Sequence, residues 1–281
     1  MTTPNQARDQ GSGGRTYSWP PTPPHEFEVF SVTRAISGGL PKPFLLPWVA
    51  KITAEEAVKK HKVLASLIES GDERAAVDLL KGARYRDMGT KADRGTIVHA
   101  ALEGYLAGKG IDNEAILEQL REAHVPRTMW KSAGLMINGL MEFLFDEEPE
   151  VYWSEATVYS REHGYAGTAD LIAKMRIGGS LVPVILDVKT SKRIYDETAL
   201  QLCAYARADF VGLDDGTEAP LVPTTGRKKA PPIEYGVVVR PTPSGGYEKA
   251  TFALTDEVHE LFLSCLGVAT KQGVLKTVRR P

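Results

Sequence analysis

The spacing of hydrophobic and polar positions changes period partway along the 281-residue chain. Residues 48–69 and 72–83 carry apolar positions at helical intervals, Val58, Leu64, Leu67 and Ile68 among them. Apolar residues three and four apart share one helix face, so this spacing predicts helices. Three more are predicted over about 92–107, 112–123 and 129–145. In the first of them Val98, Leu102, Tyr105 and Leu106 form the expected buried stripe, and His99 flanks it. From 151 onward β-branched and aromatic residues dominate. VYWSEATVYS (151–160) predicts a strand that ends at the His163-Gly164 turn, and YAGTADLIAKM (165–175) the strand that follows it. LVPVILDVKT (181–190) is nearly continuous in its apolar stretch, as expected of a strand buried on both faces. A helix over 196–210, a polar loop over 212–231, strands at 233–240 and 247–254 and a helix at 256–270 complete the pattern. This order predicts an α/β domain around a mixed central sheet flanked by helices, with a helical N-terminal portion covering it.

Residues 1–27 combine Gly, Ser, Gln and Pro and include the run WPPTPP. Such composition offsets little ordering entropy by burial, so the segment is expected to be a disordered tail. The following FEVFSVTRAIS is expected to be a short strand or turn leading into a Gly/Pro stretch. The expected organisation is a tail over 1–27, a helical portion over 28–89, the core over 90–272 and a basic tail over 273–281.

Hydrophobic residues make up 42% and charged residues 25%, ordinary globular values that exclude disorder as the whole account. The net charge of −2 excludes a polybasic binder with a global positive field. Two widely spaced cysteines, Cys203 and Cys265, exclude a disulfide framework and a four-cysteine zinc or iron–sulfur site. No apolar run reaches the ~18–20 residues of a membrane span, and the N-terminus lacks a signal-peptide core. No membrane association and a cytoplasmic location are expected.

The chemistry concentrates around the apolar strand. Asp187 and Lys189 are two apart, so they point to one face while Val188 points to the other. Charges that end such a strand are costly to bury unless they have partners or a task. Asp170 lies in GTAD on the preceding strand. Two carboxylates beside an amine suit a hard divalent cation such as Mg²⁺, which takes oxygen ligands and leaves positions for water and phosphate. That chemistry points to phosphodiester hydrolysis. His99 is a candidate ligand or a core histidine paired with Glu103. Glu155 shares its expected strand face with Trp153 and Thr157 and is either an acid of the site or an ordinary salt-bridge partner. Gln201 and Tyr205, four apart on a helix, lie one above the other.

In order and placement, these residues resemble the RecB-type exonuclease branch of the PD-(D/E)XK nuclease superfamily. The matching residues are His99 in GTIVHAALE, Glu155, Asp170 in GTAD, Asp187-Val188-Lys189, and Gln201 with Tyr205 in QLCAYA. The segment FSVTRAIS is similar to an S-x-[ST] stretch of several relatives. The resemblance implies a restriction-endonuclease-like core and a metal-dependent DNA exonuclease using Mg²⁺ or Mn²⁺. It implies His99, Asp170, Asp187 and the Val188 carbonyl as metal ligands, Lys189 as the catalytic lysine, and Glu155 as an acid that acts directly or through water. Gln201 and Tyr205 would support the site and contact DNA. Many relatives hold an iron–sulfur cluster through four cysteines; this chain has two, so no such cluster is expected. No G-x-x-x-x-G-K-[ST] motor motif occurs. The resemblance suggests a stand-alone enzyme of phage or mobile-element DNA recombination or processing, with a recombination or single-strand annealing protein as partner. A structure-specific endonuclease and a catalytically idle DNA-binding adaptor are the alternatives.

Residues 81–110 carry Lys81, Arg84, Arg86, Lys91, Arg94 and Lys109 against three acids. Lys192 and Arg193 follow the D-V-K strand, Arg227, Lys228 and Lys229 lie in the polar loop, and Lys271, Lys276, Arg279 and Arg280 end the chain. Such groups give salt-dependent phosphate contacts, and Arg94, Lys192 and Arg193, nearest the motifs, are the expected DNA-binding bases.

Overall fold

Apolar residues cover both faces of the strand Ser180–Val188, and both faces are packed. The computed structural model describes residues 7–9, 15–20, 25–224, 230–272 and 274. Its strands are β1 (Ala7–Asp9), β2 (Arg15–Trp19), β3 (Phe27–Ser31), β4 (Glu150–Ser160), β5 (Tyr165–Ile177), β6 (Ser180–Val188), β7 (Phe210–Gly212), β8 (Glu218–Ala219), β9 (Tyr235–Pro241) and β10 (Tyr247–Ala253). Its helices are α1 (Val32–Gly39), α2 (Leu45–Lys59), α3 (His61–Glu69), α4 (Glu73–Lys81), α5 (Ala83–Leu106), α6 (Asn113–Glu122), α7 (Arg127–Glu147), α8 (Thr198–Ala206) and α9 (Asp256–Lys271).

The strands form one mixed sheet. β5 pairs antiparallel with β4 and β6, β6 runs parallel to β9, and β10 closes that side antiparallel to β9. The two-residue period of β5 and β6 divides the core. Leu171, Ala173, Met175, Val184 and Leu186 pack beneath α5 and α7, against Val98, Met136 and Leu140. Ile172 and Ile185 face α8 and α9 on the other side, with Leu202 and Phe262. The result is a three-layer α/β/α arrangement, as the sequence pattern predicts. Among the described residues no helix is long and apolar enough to cross a membrane.

One feature of the sheet creates the site. β4 occupies one edge of β5 along most of its length. The other edge is shared: β3 pairs in parallel at Tyr165 and Ala166, and β6 pairs only from Leu171 onward. Continuing the β5–β6 register would set Asp170 opposite Asp187. Instead the strands part, and the Asp170 carboxylate takes over the ladder: the Val188 amide donates to its Oδ2 at 2.6 Å.

The N-terminal third differs from the sequence reading. Residues 15–19 are strand β2 rather than tail, paired with β3 and β1. Their alternation buries Tyr17 and Trp19, and Trp19 meets Tyr159 and Phe210 with ring centroids 5.1 Å apart in each case. Burial of those two aromatics outweighs the tail-like composition around them. Residues 1–6, 10–14 and 21–24 of the expected tail lie outside the described residues. The expected strand-or-turn FEVFSVTRAIS is β3 followed by α1, whose first turn is capped by the Ser31 side chain accepting from the Arg34 amide. Gly38 and Gly39 end this helix because α1 lies directly on α9; a Cβ on Gly39 would stand 2.3 Å from Cys265 Cα. The expected boundary at 89/90 falls inside the continuous α5, and β3 ties 27–31 into the sheet. The helix expected over 196–210 ends at Ala206, where Phe210 enters the aromatic cluster and β7 pairs with β4.

Candidate metal centre

The parted strands open into a cavity of about 1100 Å³. His99, Glu155, Asp170, Asp187, Val188, Lys189, Gln201 and Tyr205 all line it, as do Arg94, Lys192 and Arg193. All eleven candidate residues from the sequence therefore meet around one space. They come from α5, β4, β5, β6, α8 and the segment after β6.

His99, Glu155 and Asp170 form the tightest group: one ligand-type atom of each lies within 4.8 Å of the others. His99 is buried on α5, and its Nδ1 stands 3.6 Å from Asp170 Oδ2, too far for a hydrogen bond. Among the described residues that Nδ1 has no hydrogen-bond partner. Tyr105, expected in the same buried stripe, is exposed instead. Glu155 reaches the cavity through an unusual backbone, with φ +49°. A left-handed conformation at a non-glycine residue costs on the order of 1–3 kcal/mol and collects at functional sites. It also breaks the strand's alternation. Trp153 packs with Ala156 and Val158 in the α8–α9 layer, so the expected common face of Trp153, Glu155 and Thr157 is not formed.

Asp187 stands apart from that group, in a second arrangement. Lys189 Nζ donates to its Oδ1 at 2.8 Å. Gln201 Nε2 donates to the same oxygen at 3.2 Å and to the Tyr205 hydroxyl at 3.0 Å, while Gln201 Oε1 accepts from Lys189 at 3.3 Å. Asp187 Oδ2 lies as close to the ammonium but has no hydrogen bond among the described residues. Burial, opposed by Lys189 and reinforced by Asp170, leaves the Asp187 carboxyl pushed up to about 6. Burial alone would lower the Lys189 ammonium, but Asp187 and Asp170 outweigh it and hold it above its ordinary value. Val188 turns its side chain into the α5–α7 layer and gives its amide to Asp170. Tyr205 is buried, and burial, followed by the neighbouring Tyr17 and Asp187, holds its phenol well above its ordinary value. Its hydroxyl accepts from Gln201 at the cavity wall. Gly167 of GTAD permits this, because a Cβ there would meet Tyr205 Cε1 at 2.4 Å.

Arg94 is half-buried five residues before His99 on α5. Its Nη1 donates to Ser132 Oγ at 3.4 Å, and its Nε has no partner among the described residues. Burial lowers its pKa from the usual arginine value. Lys91 and Arg86 are engaged with Asp87 and Glu56. Lys192 and Arg193 are exposed at the rim. Arg227, Lys228, Lys229, Lys276, Arg279 and Arg280 lie outside the described residues.

The donor set fits a divalent cation. An imidazole nitrogen and two carboxylates are ligand types that divalent cations take, and buried polar atoms without partners are rare unless something else satisfies them. His99 Nδ1 is such an atom in the cavity, whereas Asp187 Oδ2 is ion-paired with the Lys189 ammonium at 2.8 Å. Sequence reasoning did not find the cavity's apolar wall of Phe44, Leu45, Trp48, Met88 and Tyr195, whose residues lie outside the motifs. No family model matches this chain, and neither does any curated protein.

Proposed function

We propose that the chain is a metal-dependent DNA exonuclease on a restriction-endonuclease-like core, of the RecB-like PD-(D/E)XK type. The observation that carries the reading is the meeting, in one cavity, of the His99–Glu155–Asp170 group with the Asp187–Lys189–Gln201 network. Bound Mg²⁺ or Mn²⁺ would neutralise charge on the scissile phosphate and the leaving oxygen. His99, Glu155 and Asp170 would hold it, with Asp187 Oδ2 at hand. Asp187 and Gln201 fix the Lys189 ammonium at the cavity wall, where it orients the attacking water and faces the charge that develops on the phosphate. Tyr205 locks Gln201. Arg94 offers a guanidinium to a neighbouring phosphate.

End-labelled linear DNA and closed circular DNA, incubated with Mg²⁺, Mn²⁺ or EDTA, test the reading. The expected result is metal-dependent loss of linear DNA with circles spared. Nicking of closed circles would transfer the site to an endonuclease, and intact DNA under all conditions would reject hydrolysis.

A further inference from the structure

Two hydroxyls that line the cavity bond to each other. Tyr17 of β2 and Thr168 of β5 both border it, and their oxygens lie 3.2 Å apart. Among the described residues neither hydroxyl makes another hydrogen bond. Tyr17 is buried. Its ring meets that of Tyr159 edge-on, with centroids 6.3 Å apart and planes at 87°, so the phenol is held from behind. Thr168 is half-buried, whereas its neighbours along β5, residues 165–167 and 169–173, are buried. Its open side is the side that borders the cavity.

The protons of this pair do not balance. Each hydroxyl carries one proton and can also accept. The single bond between them uses one proton, and the other has no acceptor among the described residues. The phenol is the more acidic donor and is enclosed, so it donates to Thr168 Oγ1 and leaves the threonine proton free to turn into the cavity. Residues two apart share a strand face, so Thr168 points to the same side as Asp170, ~7 Å from it along β5. A lone O–H donor in such a place serves an anionic oxygen, because hydrogen bonds to ionised acceptors are about twice as strong as neutral ones. It does so without a positive charge that the Glu155 and Asp170 carboxylates would attract.

We propose that Thr168 contacts the substrate, its hydroxyl donating to an oxygen of a phosphate beside the scissile one, and that Tyr17 is the positioning residue that aims it. The proposal rests on the nuclease reading and adds to it a substrate contact and a task for β2, the strand whose composition reads as tail.

Steady-state cleavage of end-labelled linear DNA by the full chain with Mg²⁺, beside melting curves with and without Mg²⁺, tests this. Thr168→Val keeps the shape and removes the hydroxyl. It should raise KM about tenfold or more, the size of a lost hydrogen bond to a charged group, with kcat little changed, as for an interaction made equally in ground and transition states. Thr168→Ser returns the hydroxyl and should recover most of that loss. Tyr17→Phe keeps the ring and leaves the threonine unaimed, so KM should rise by a smaller factor, about two- to tenfold. Adding Tyr17→Phe to Thr168→Val should cost nothing more, since the phenol acts only through the threonine. The rise in melting temperature on adding Mg²⁺ should be the parent's in every variant, because His99, Glu155 and Asp170 are untouched. Additive losses, or Thr168→Val with the parent's KM, would overturn the contact. So would a lost Mg²⁺ response in Thr168→Val, which would assign the hydroxyl to the cation. A parent that leaves DNA intact would overturn the nuclease reading and this proposal with it.

Discussion

Lys189 is held by Asp187 and Gln201, and Asp170 by the Val188 amide. The two residues therefore have separable tasks. On the proposed function Lys189→Ala removes a group that would act in the transition state, so cleavage should fall at least about tenfold, ~1.4 kcal/mol of barrier. The rise in melting temperature on adding Mg²⁺ should persist, because the His99–Glu155–Asp170 group is untouched. Asp170→Asn should do the reverse in a melting experiment. Its amide oxygen still accepts from Val188, while one of the crowded like charges is gone. In EDTA the variant should melt at or above the parent temperature, and its response to Mg²⁺ should be lost. Lys189 was legible in the sequence because charges closing an apolar strand are conspicuous, and Asp170 through its place in GTAD on the preceding strand. The left-handed backbone of Glu155 was not, since nothing in VYWSEATVYS signals φ +49°.

At the scale of elements, the Q-x-x-x-Y helix, the hairpin and the apolar strand follow from periodicity, because each buries a face that its own residues define. The N-terminal strands do not. β2 is five residues long in a Gly/Pro-rich context, and its stability comes from distant partners, Tyr159 and Phe210. Trp19→Ala should therefore cost ~3–5 kcal/mol in chemical denaturation, as for a large buried aromatic; a true tail would show no change. The apolar spacing of 48–69 was also misleading about burial: α2 and α3, which divide at Lys60, contain no buried residue, and Val58 is 77% exposed. At the opposite end of β5, His259 of α9 stacks on Phe262 and approaches the Tyr165 hydroxyl at 3.4 Å. Burial first, then His163 and Arg207, lowers its pKa below the usual 6.5. The unfolded chain then takes up this proton before the folded one does. Stability is full above about pH 6.5 and declines as pH falls through and below it. His259→Gln should flatten that decline relative to the parent in melting curves between neutral and mildly acidic pH.

Across the whole molecule, the net charge of −2 hides a division between an acidic, histidine-bearing floor and a rim with Lys192 and Arg193. The sheet accounts for that division. Because β3 and β6 share one edge of β5 without meeting, the fold leaves a gap at Gly167–Asp170, and every charged group of the site projects into or around it. The proposed function requires a cation in this gap. Crystals grown with Mn²⁺ and measured for anomalous scattering test this most directly. The expected result is a single strong peak bonded to His99, Glu155 and Asp170, at about the 2.0–2.2 Å of hard-cation ligation, and absent in Asp170→Asn. A Mn²⁺-soaked crystal with no peak in the cavity, or with its peak on other residues, would contradict the account.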